Sequence, residues 1–376
     1  MKRTLMFVVN VDWFFLSHRL PIALEAQRQG YTVHIATGLT NRLDELRRHG
    51  LIVHPLKLDR SSASLGNAMR TARDLWRVFR AVRPDVTHLV TIKPVLLGGL
   101  AARLAGMPAV VMAVSGLGFV FMARGAKATV RRWLVGAMYR VALGHRNLRV
   151  IFQNPDDLRS LATLAKLPDS SVVLIRGSGV DLSRYIPMPL PEGVPVVMLA
   201  ARLLADKGVV EFVQAARLLK QQGSKARFVL VGTVDPDNPT SCEQHELDAW
   251  VEEGTVECWG HLADMPKVLS AATIVVLPSY REGLPKVLLE AAACGRPVVT
   301  TDVPGCRDAI EPGVTGVLVP VRNAQALAAA MTDLIDAPER CETMGNAGRM
   351  LAERAFDIRQ VVATHLKIYD ELVEKS

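Results

Sequence analysis

Short apolar runs alternate along the whole chain with longer stretches whose apolar positions recur every three or four residues. Leu5–Asn10 reads as a strand and Arg19–Gln29 as a helix closed by Gly30. Thr32–Thr37, Val86–Val90 and Ala109–Val114 read as further strands. The rhythm restarts after Pro195, with strands expected at Val196–Ala200, Ala226–Val231, Ile274–Pro278 and Pro297–Thr301. Helices are expected between them at Lys207–Gln222, Lys286–Cys294 and Ala324–Leu334. Near-continuous apolar strands separated by helical segments predict parallel sheets covered on both faces, an α/β doubly wound class. Between the two series lies Ile186-Pro-Met-Pro-Leu-Pro-Glu-Gly-Val-Pro195, proline-rich and without periodicity, which reads as a linker. The expected organisation is an N-terminal domain over 1–184, a second over 185–356, and a last segment, 357–376, of helical pattern.

Two stretches imitate membrane segments. The opening run is short, interrupted by Asp12 and followed by no small-residue cleavage site, so a first strand is the better reading than a leader. The uncharged stretch from Leu104 to Ala123 is long enough to span a bilayer, but Pro108, Ser115, Gly116 and Gly118 divide it into a strand and a glycine turn.

Composition is that of a globular protein: 376 residues, 49% hydrophobic and 22% charged. The cysteines number five with no C-x-x-C pair, which argues against a disulfide framework or a zinc site. The net charge of +8 is unevenly spread. Up to Arg184 there are 27 basic against 11 acidic residues, a net of +16; after it there are 18 against 26, a net of −8. The first half is therefore expected to meet something anionic. Nucleic acid is disfavoured, because the basic residues are not interleaved with aromatic stacking positions. An anionic membrane surface and a phosphorylated substrate rank above it.

The chemistry concentrates in the second half. Ser279-Tyr-Arg-Glu-Gly-Leu-Pro-Lys-Val-Leu-Leu-Glu290 follows an apolar strand and runs into a helix. Gly283 gives backbone freedom before Leu284, and Pro285 suits the first helical turn. Free N–H groups there can hold a phosphate, while Glu282 and Glu290 can accept hydrogen bonds from sugar hydroxyls. Arg202 and Lys207 follow the strand Val196–Ala200, where paired cations can meet a diphosphate and stabilise the charge it gains on leaving. The plainer alternative for each is a solvated loop or helix-surface residue. Asp235-Pro-Asp237 spells a metal-binding D-x-D, but Asn238-Pro239 is turn chemistry, and Ser241 with Gln244 reads as a capping box.

Arg202, Lys207, Glu282 and Glu290 together resemble the signature of glycosyltransferase family 4, the retaining GT-B transferases. Gly179-Val-Asp181 with Tyr185 and Pro187, and Pro304-Gly305 through Gly316, extend the resemblance over nearly the whole chain. It implies two Rossmann-like domains facing a central cleft, the first (1–184) binding acceptor and facing the membrane, the second (185–356) binding the nucleotide sugar, with the last helix (357–376) crossing back to the first. Arg202 and Lys207 are then expected on the donor diphosphate, Glu282 by the transferred sugar, and Glu290 on the ribose, with Gly283 and Leu284 lining the donor site. Metal is not expected, since cationic side chains take its place. Val-Ser-Gly-Leu-Gly-Phe-Val-Phe121 and the segments around Arg202 and Thr233 are similar to a bacterial subgroup. That subgroup adds N-acetylhexosamines or related sugars to polyprenyl-diphosphate-linked saccharides of O-antigen, capsule or protein glycosylation. The implied partners are a UDP-sugar and a lipid-linked saccharide, at the inner face of the cytoplasmic membrane. A 2-epimerase or hydrolase on the same fold, and a non-catalytic membrane-docked sensor, are the alternatives.

On the acceptor side, the residues from Asp12 to Arg19 read as a connection facing the cleft. His18 and Arg19 either meet the acceptor phosphate or the transferring sugar, or serve locally, His18 as a helix-start residue bonded to backbone. Lys93 either contacts a phosphate or is a surface lysine before Pro94. Ser115 and Gly116 either approach substrate by their backbone or form a plain turn. Phe119 and Phe121, followed by Arg124, Lys127, Arg131 and Arg132, are expected to touch anionic lipid.

Overall fold

The computed structural model describes residues 3–57, 65–116, 135–236 and 238–375. The chain forms two compact units: Met1–Ser178 with Arg359–Ser376, and Gly179–Ile358. The expected contacts at Phe119, Phe121, Arg124, Lys127, Arg131 and Arg132 lie outside the described residues.

Unit 1 holds a parallel sheet of β1 (Thr4–Val11), β2 (Thr32–Gly38), β3 (Ile52–Pro55), β4 (Val86–Val90), β5 (Val110–Val114), β6 (Leu148–Phe152) and β7 (Val172–Leu174). Their order is β3-β2-β1-β4-β5-β6-β7. Unit 2 repeats the plan with β8 (Val196–Ala200), β9 (Arg227–Val231), β10 (Glu257–Gly260), β11 (Ile274–Leu277), β12 (Val298–Thr301) and β13 (Gly316–Val319), ordered β10-β9-β8-β11-β12-β13. β4, β5, β8, β11 and β12 are buried at every position. This is why β5, β8 and β11 are unbroken apolar runs rather than alternating ones, while β4 and β12 carry the buried polar residues Thr87, His88, Thr300 and Thr301. In each sheet the order reverses once, between β1 and β4 and between β8 and β11. Loops on the two sides of a reversal leave for opposite faces and open a crevice at the carboxyl ends of the strands.

Some expectations are corrected. The connection after β1 is a helix, Asp12–His18, followed by a second, Leu20–Arg28. Asp12 is buried and accepts from the Thr40 backbone N–H at 2.7 Å and the Thr40 hydroxyl at 2.8 Å, tying this helix to the loop after β2. The helix expected from Lys207 starts at Val209, because Gly208 sits at φ +75° and breaks the turn. The capping box belongs to Glu243 and Glu246, the Glu243 N–H donating to the Glu246 carboxylate at 3.0 Å, not to Ser241 and Gln244. The proline-rich segment packs within unit 2, where buried Arg296 donates to the Pro189 carbonyl at 3.0 Å.

The last helix, Ile358–Glu374, closes unit 1. Tyr369 is fully buried with its hydroxyl 2.6 Å from His88 Nδ1 on β4, and Asp370 accepts from Tyr31 at 3.0 Å. The rings of His88 and His365 stack at 5.5 Å. Burial lowers both histidines, His88 well below its ordinary value and His365 to about 3, with each other and Arg19 adding repulsion around His88. The unfolded chain therefore takes up protons near pH 6.5 that the folded unit refuses, so stability present above that pH is lost as the pH falls toward the folded values. We expect each histidine to withdraw about 1.4 kcal/mol per pH unit below pH 6.5. Thermal unfolding of unit 1 measured from pH 7 to pH 5 should show a falling midpoint, shallower in His365→Gln. A midpoint flat over that range contradicts the account.

Candidate active site

Three loops meet at the carboxyl edge of the unit 2 sheet. They follow β8, β11 and β12, and backbone joins them. The Tyr280 N–H donates to the Asp206 carbonyl at 2.9 Å, and the Glu282 N–H to the Pro304 carbonyl at 3.2 Å. Glycine makes the approach possible at two points. A Cβ on Gly208 would stand 2.2 Å from the Pro278 carbonyl oxygen, and one on Gly305 would stand 2.5 Å from that of Glu282. Both glycines have positive φ, +75° and +81°. The threonines at the end of β12 reinforce the join, Thr300 donating to the Leu277 carbonyl at 2.6 Å and Thr301 to that of Ser279.

On this frame Lys207, from the β8 loop, is paired with Glu282, from the β11 loop, directly across the reversal in strand order. The Ser279 hydroxyl donates to the same Glu282 oxygen at 2.6 Å. The lysine side chain is 23% exposed and the glutamate 12%, so the pair is shielded from bulk water yet reachable from the crevice. Arg202 lies further out, 42% exposed, with Nη1 2.8 Å from Asp235. The first aspartate of the D-x-D is thus engaged by a cation, and Asp237 lies outside the described residues. Leu284 is buried beside these loops in the core of unit 2. Cys306, beneath Glu282, is pushed up to about 12 by burial and the glutamate's charge, so it stays a thiol and offers no nucleophile.

Glu290 occupies the second turn of the helix Lys286–Ala293, for which Pro285 is the N-cap. It is buried, accepts from the Tyr185 hydroxyl at 2.6 Å and lies 3.2 Å from the Lys286 ammonium. Burial and the carboxylate's charge drive the Tyr185 phenol far above its ordinary value, fixing it as donor. Tyr185 is held in turn by Arg349, which donates to its carbonyl at 2.7 Å. The support of Glu290 by Tyr185 and Arg349 is not legible in sequence, because Tyr185 lies 105 residues from Glu290 and Arg349 lies 164 residues from Tyr185. The tyrosine's place just before the proline-rich segment is the signal that could have found it.

The remaining expected residues lie in unit 1. His18 ends the first helix, its Nδ1 3.1 Å from the Phe14 carbonyl and its ring stacked on Phe14 at 4.0 Å. Arg19 is 2% exposed and donates to the His18 carbonyl at 2.9 Å; burial lowers it to about 10. The fold therefore sinks Arg19 into the unit rather than presenting it at the surface. Lys93 immediately precedes the π turn Pro94–Gly98, and Ser115 and Gly116 follow β5, Gly116 at φ +97°. Arg202, Lys207 and Glu282 are thus gathered at one strand reversal, with Glu290 on the adjoining helix; of the acceptor-side candidates, Lys93, Ser115 and Gly116 follow strands at the carboxyl edge of the other sheet, whereas Arg19 does not stand there.

Residues 194–337 match the family described as glycosyl transferases group 1, and residues 4–154 match the family described as glycosyl transferase 4-like. The chain is a glycosyltransferase. It is 29% identical to the N,N'-diacetylbacillosaminyl-diphospho-undecaprenol alpha-1,3-N-acetylgalactosaminyltransferase of Campylobacter jejuni, covering 96% of this chain and 98% of the relative. It is 24% identical to the UDP-Gal:alpha-D-GlcNAc-diphosphoundecaprenol alpha-1,3-galactosyltransferase of Escherichia coli, over 73% and 72%. In fold it is similar to sucrose-phosphate synthase from Thermosynechococcus elongatus, with a TM-score of 0.81, 22% identity and complete coverage of both chains. The relatives carry the transferase reading over the epimerase, hydrolase and sensor readings. As a glycosyltransferase, the chain has its two family matches divided between the two units.

Replacing Gly305 with alanine forces a Cβ against the Glu282 carbonyl at an unfavourable φ. We expect Gly305→Ala to cost about 2 kcal/mol or more in the stability of unit 2, read by urea unfolding. An unchanged midpoint contradicts the close approach.

Proposed function

We propose that this glycosyltransferase moves a sugar, an N-acetylhexosamine, from a UDP-sugar to a polyprenyl-diphosphate-linked saccharide. The anomeric configuration is retained and no metal takes part. The observation that carries the reading is the pair of cations on the β8 loop at the strand reversal of unit 2, with Lys207 held by Glu282, which Ser279 fixes in turn. A nucleoside diphosphate leaving the sugar gains negative charge, and a lysine already positioned there stabilises it without reorganising. Arg202 adds a fork that can grip two oxygens, once exchanged from Asp235. The helix beginning at Lys286 starts just after Glu282, and a helix N-terminus favours an anion. Buried Glu290, oriented by Tyr185, is suited to accept from ribose hydroxyls. The names of the Campylobacter and Escherichia relatives, one an N-acetylgalactosaminyltransferase and both acting on diphosphoundecaprenol-linked sugars, support donor and acceptor class.

A lipid-linked acceptor calls for contact with the membrane. Among the described residues no helix is long and apolar enough to cross one. Unit 1 instead offers an outer helical layer. Leu75 and Phe79, Ala101 and Ala102, and Tyr139 and Leu143 pack into one core cluster on one face of the sheet. The outward sides of the same helical segments expose Met69, Trp76, Leu100, Leu104, Met138 and Val141. Exposed arginines stand among them, including Arg73, Arg77, Arg103 and Arg140. Exposed apolar side chains interleaved with arginine suit the boundary of an anionic bilayer. The enzyme in this reading works at the inner face of the cytoplasmic membrane as a peripheral protein.

The test is UDP release from a panel of UDP-hexoses and UDP-N-acetylhexosamines, with and without a short polyprenyl-diphosphate-linked sugar in detergent. Acceptor-dependent release from one donor is expected. Arg202→Ala and Lys207→Ala should each lower kcat about 100-fold or more, whereas Glu290→Ala should act mainly on donor KM. Release that ignores the acceptor contradicts the proposal. In sedimentation with vesicles, binding to anionic but not zwitterionic lipid is expected, reversed by high salt and lost in Arg73→Glu/Arg77→Glu. Indifference to lipid charge and to that double substitution contradicts the membrane reading.

A further inference from the structure

At the carboxyl edge of the unit 1 sheet, three side-chain oxygens are buried without a hydrogen-bond partner. They are Asn10 Oδ1 near the end of β1, Thr91 Oγ1 just after β4, and Ser115 Oγ just after β5. These strands are neighbours, and their register pairs Val9 with Val90 and Val90 with Ala113. The three residues therefore stand within one residue of a common level, alongside the reversal between β1 and β4. Buried polar atoms are nearly always satisfied, so a row of orphans at one sheet edge asks for a partner from outside the chain.

A second observation falls on the same spot. Thr91 has φ +75°, in the left-handed region, and among the described residues no other β-branched residue does. A branched side chain is the least tolerant of that conformation, and such strain is kept where the geometry has a use. Three residues further on, the chain enters the π turn Pro94–Gly98, another irregularity concentrated at functional sites.

We propose that Asn10, Thr91 and Ser115 form the row of hydrogen-bonding groups that holds the terminal sugar of the acceptor. This rests on the transferase reading and specifies its acceptor side. The chemistry selects the ligand class. An amide oxygen only accepts, so Asn10 Oδ1 needs a donor, which a phosphate or diphosphate oxygen is not. Sugar hydroxyls and acetamido N–H groups are donors, and hydroxyls also accept from Thr91 and Ser115, which can play either part. The row therefore reads the saccharide and leaves the diphosphate to other groups.

Thr91→Val and Ser115→Ala remove one hydroxyl each with little change of shape. Both variants and their combination would be compared with the parent for thermal midpoint, donor KM and acceptor KM. The acceptor probe is a polyprenyl-diphosphate-linked N-acetylhexosamine in detergent. The expected result is an unchanged or higher midpoint, because an unsatisfied buried hydroxyl is lost, together with a rise of about tenfold in acceptor KM that exceeds any change in donor KM. Parent turnover with acceptor KM unmoved in the variants overturns the row alone. A lowered midpoint with acceptor KM unmoved also overturns it, assigning the hydroxyls to the fold. Absence of acceptor-dependent turnover in the parent overturns both the row and the transferase reading beneath it.

Discussion

A doubly wound parallel sheet must part its loops where the strand order reverses, and something has to occupy the crevice that results. In unit 2 the occupant is an ion pair. Lys207 reaches it from the β8 side and Glu282 from the β11 side, and Ser279 fixes the glutamate. The rest of the site follows from bringing these two loops together. Gly208 and Gly305 permit the backbones to touch, the Tyr280–Asp206 and Glu282–Pro304 hydrogen bonds hold them, and the threonines of β12 brace the floor. The cationic centre is thus placed by main chain rather than by flexible side chains alone, which is what preorganisation requires.

Unit 1 meets the same constraint differently. Its first connection is the helix Asp12–His18, anchored by the buried carboxylate of Asp12 on Thr40, and its reversal is bordered by uncharged polar groups and a strained threonine. The contrast matches the chemistry proposed for each unit, a diphosphate on one and sugar hydroxyls on the other. The excess of basic residues in the first half is carried on the outer helices instead, at Arg73, Arg77 and Arg103, rather than by the buried and fully enclosed Arg19.

What could be read from the sequence depended on how local its cause was. β5, β8 and β11 are apolar because both their faces are covered, and their runs were legible. β6 carries Arg149 and β10 begins at Glu257, so these outer strands lacked that signature. The four charged candidates of unit 2 were legible through spacing and family resemblance. Tyr185 and Gly305 were visible only as parts of that resemblance and their supporting roles were not, since Tyr185 acts on Glu290 across 105 residues and Gly305 through a backbone contact with Glu282. Arg19 shows the converse, a plausible ligand in sequence that the fold encloses. Asn10 and Thr91 passed unnoticed because an unsatisfied oxygen and a positive φ leave no trace in composition or periodicity.

The central claim is that the β8–β11 crevice, with Lys207 at its centre, grips a nucleoside diphosphate. Calorimetric titration of uridine, UMP and UDP into the protein and into Lys207→Ala tests it most directly. The account predicts affinity rising steeply from uridine through UMP to UDP, with the advantage of UDP over UMP lost in the variant. Uridine binding as tightly as UDP, or a variant that binds UDP as the parent does, would contradict it.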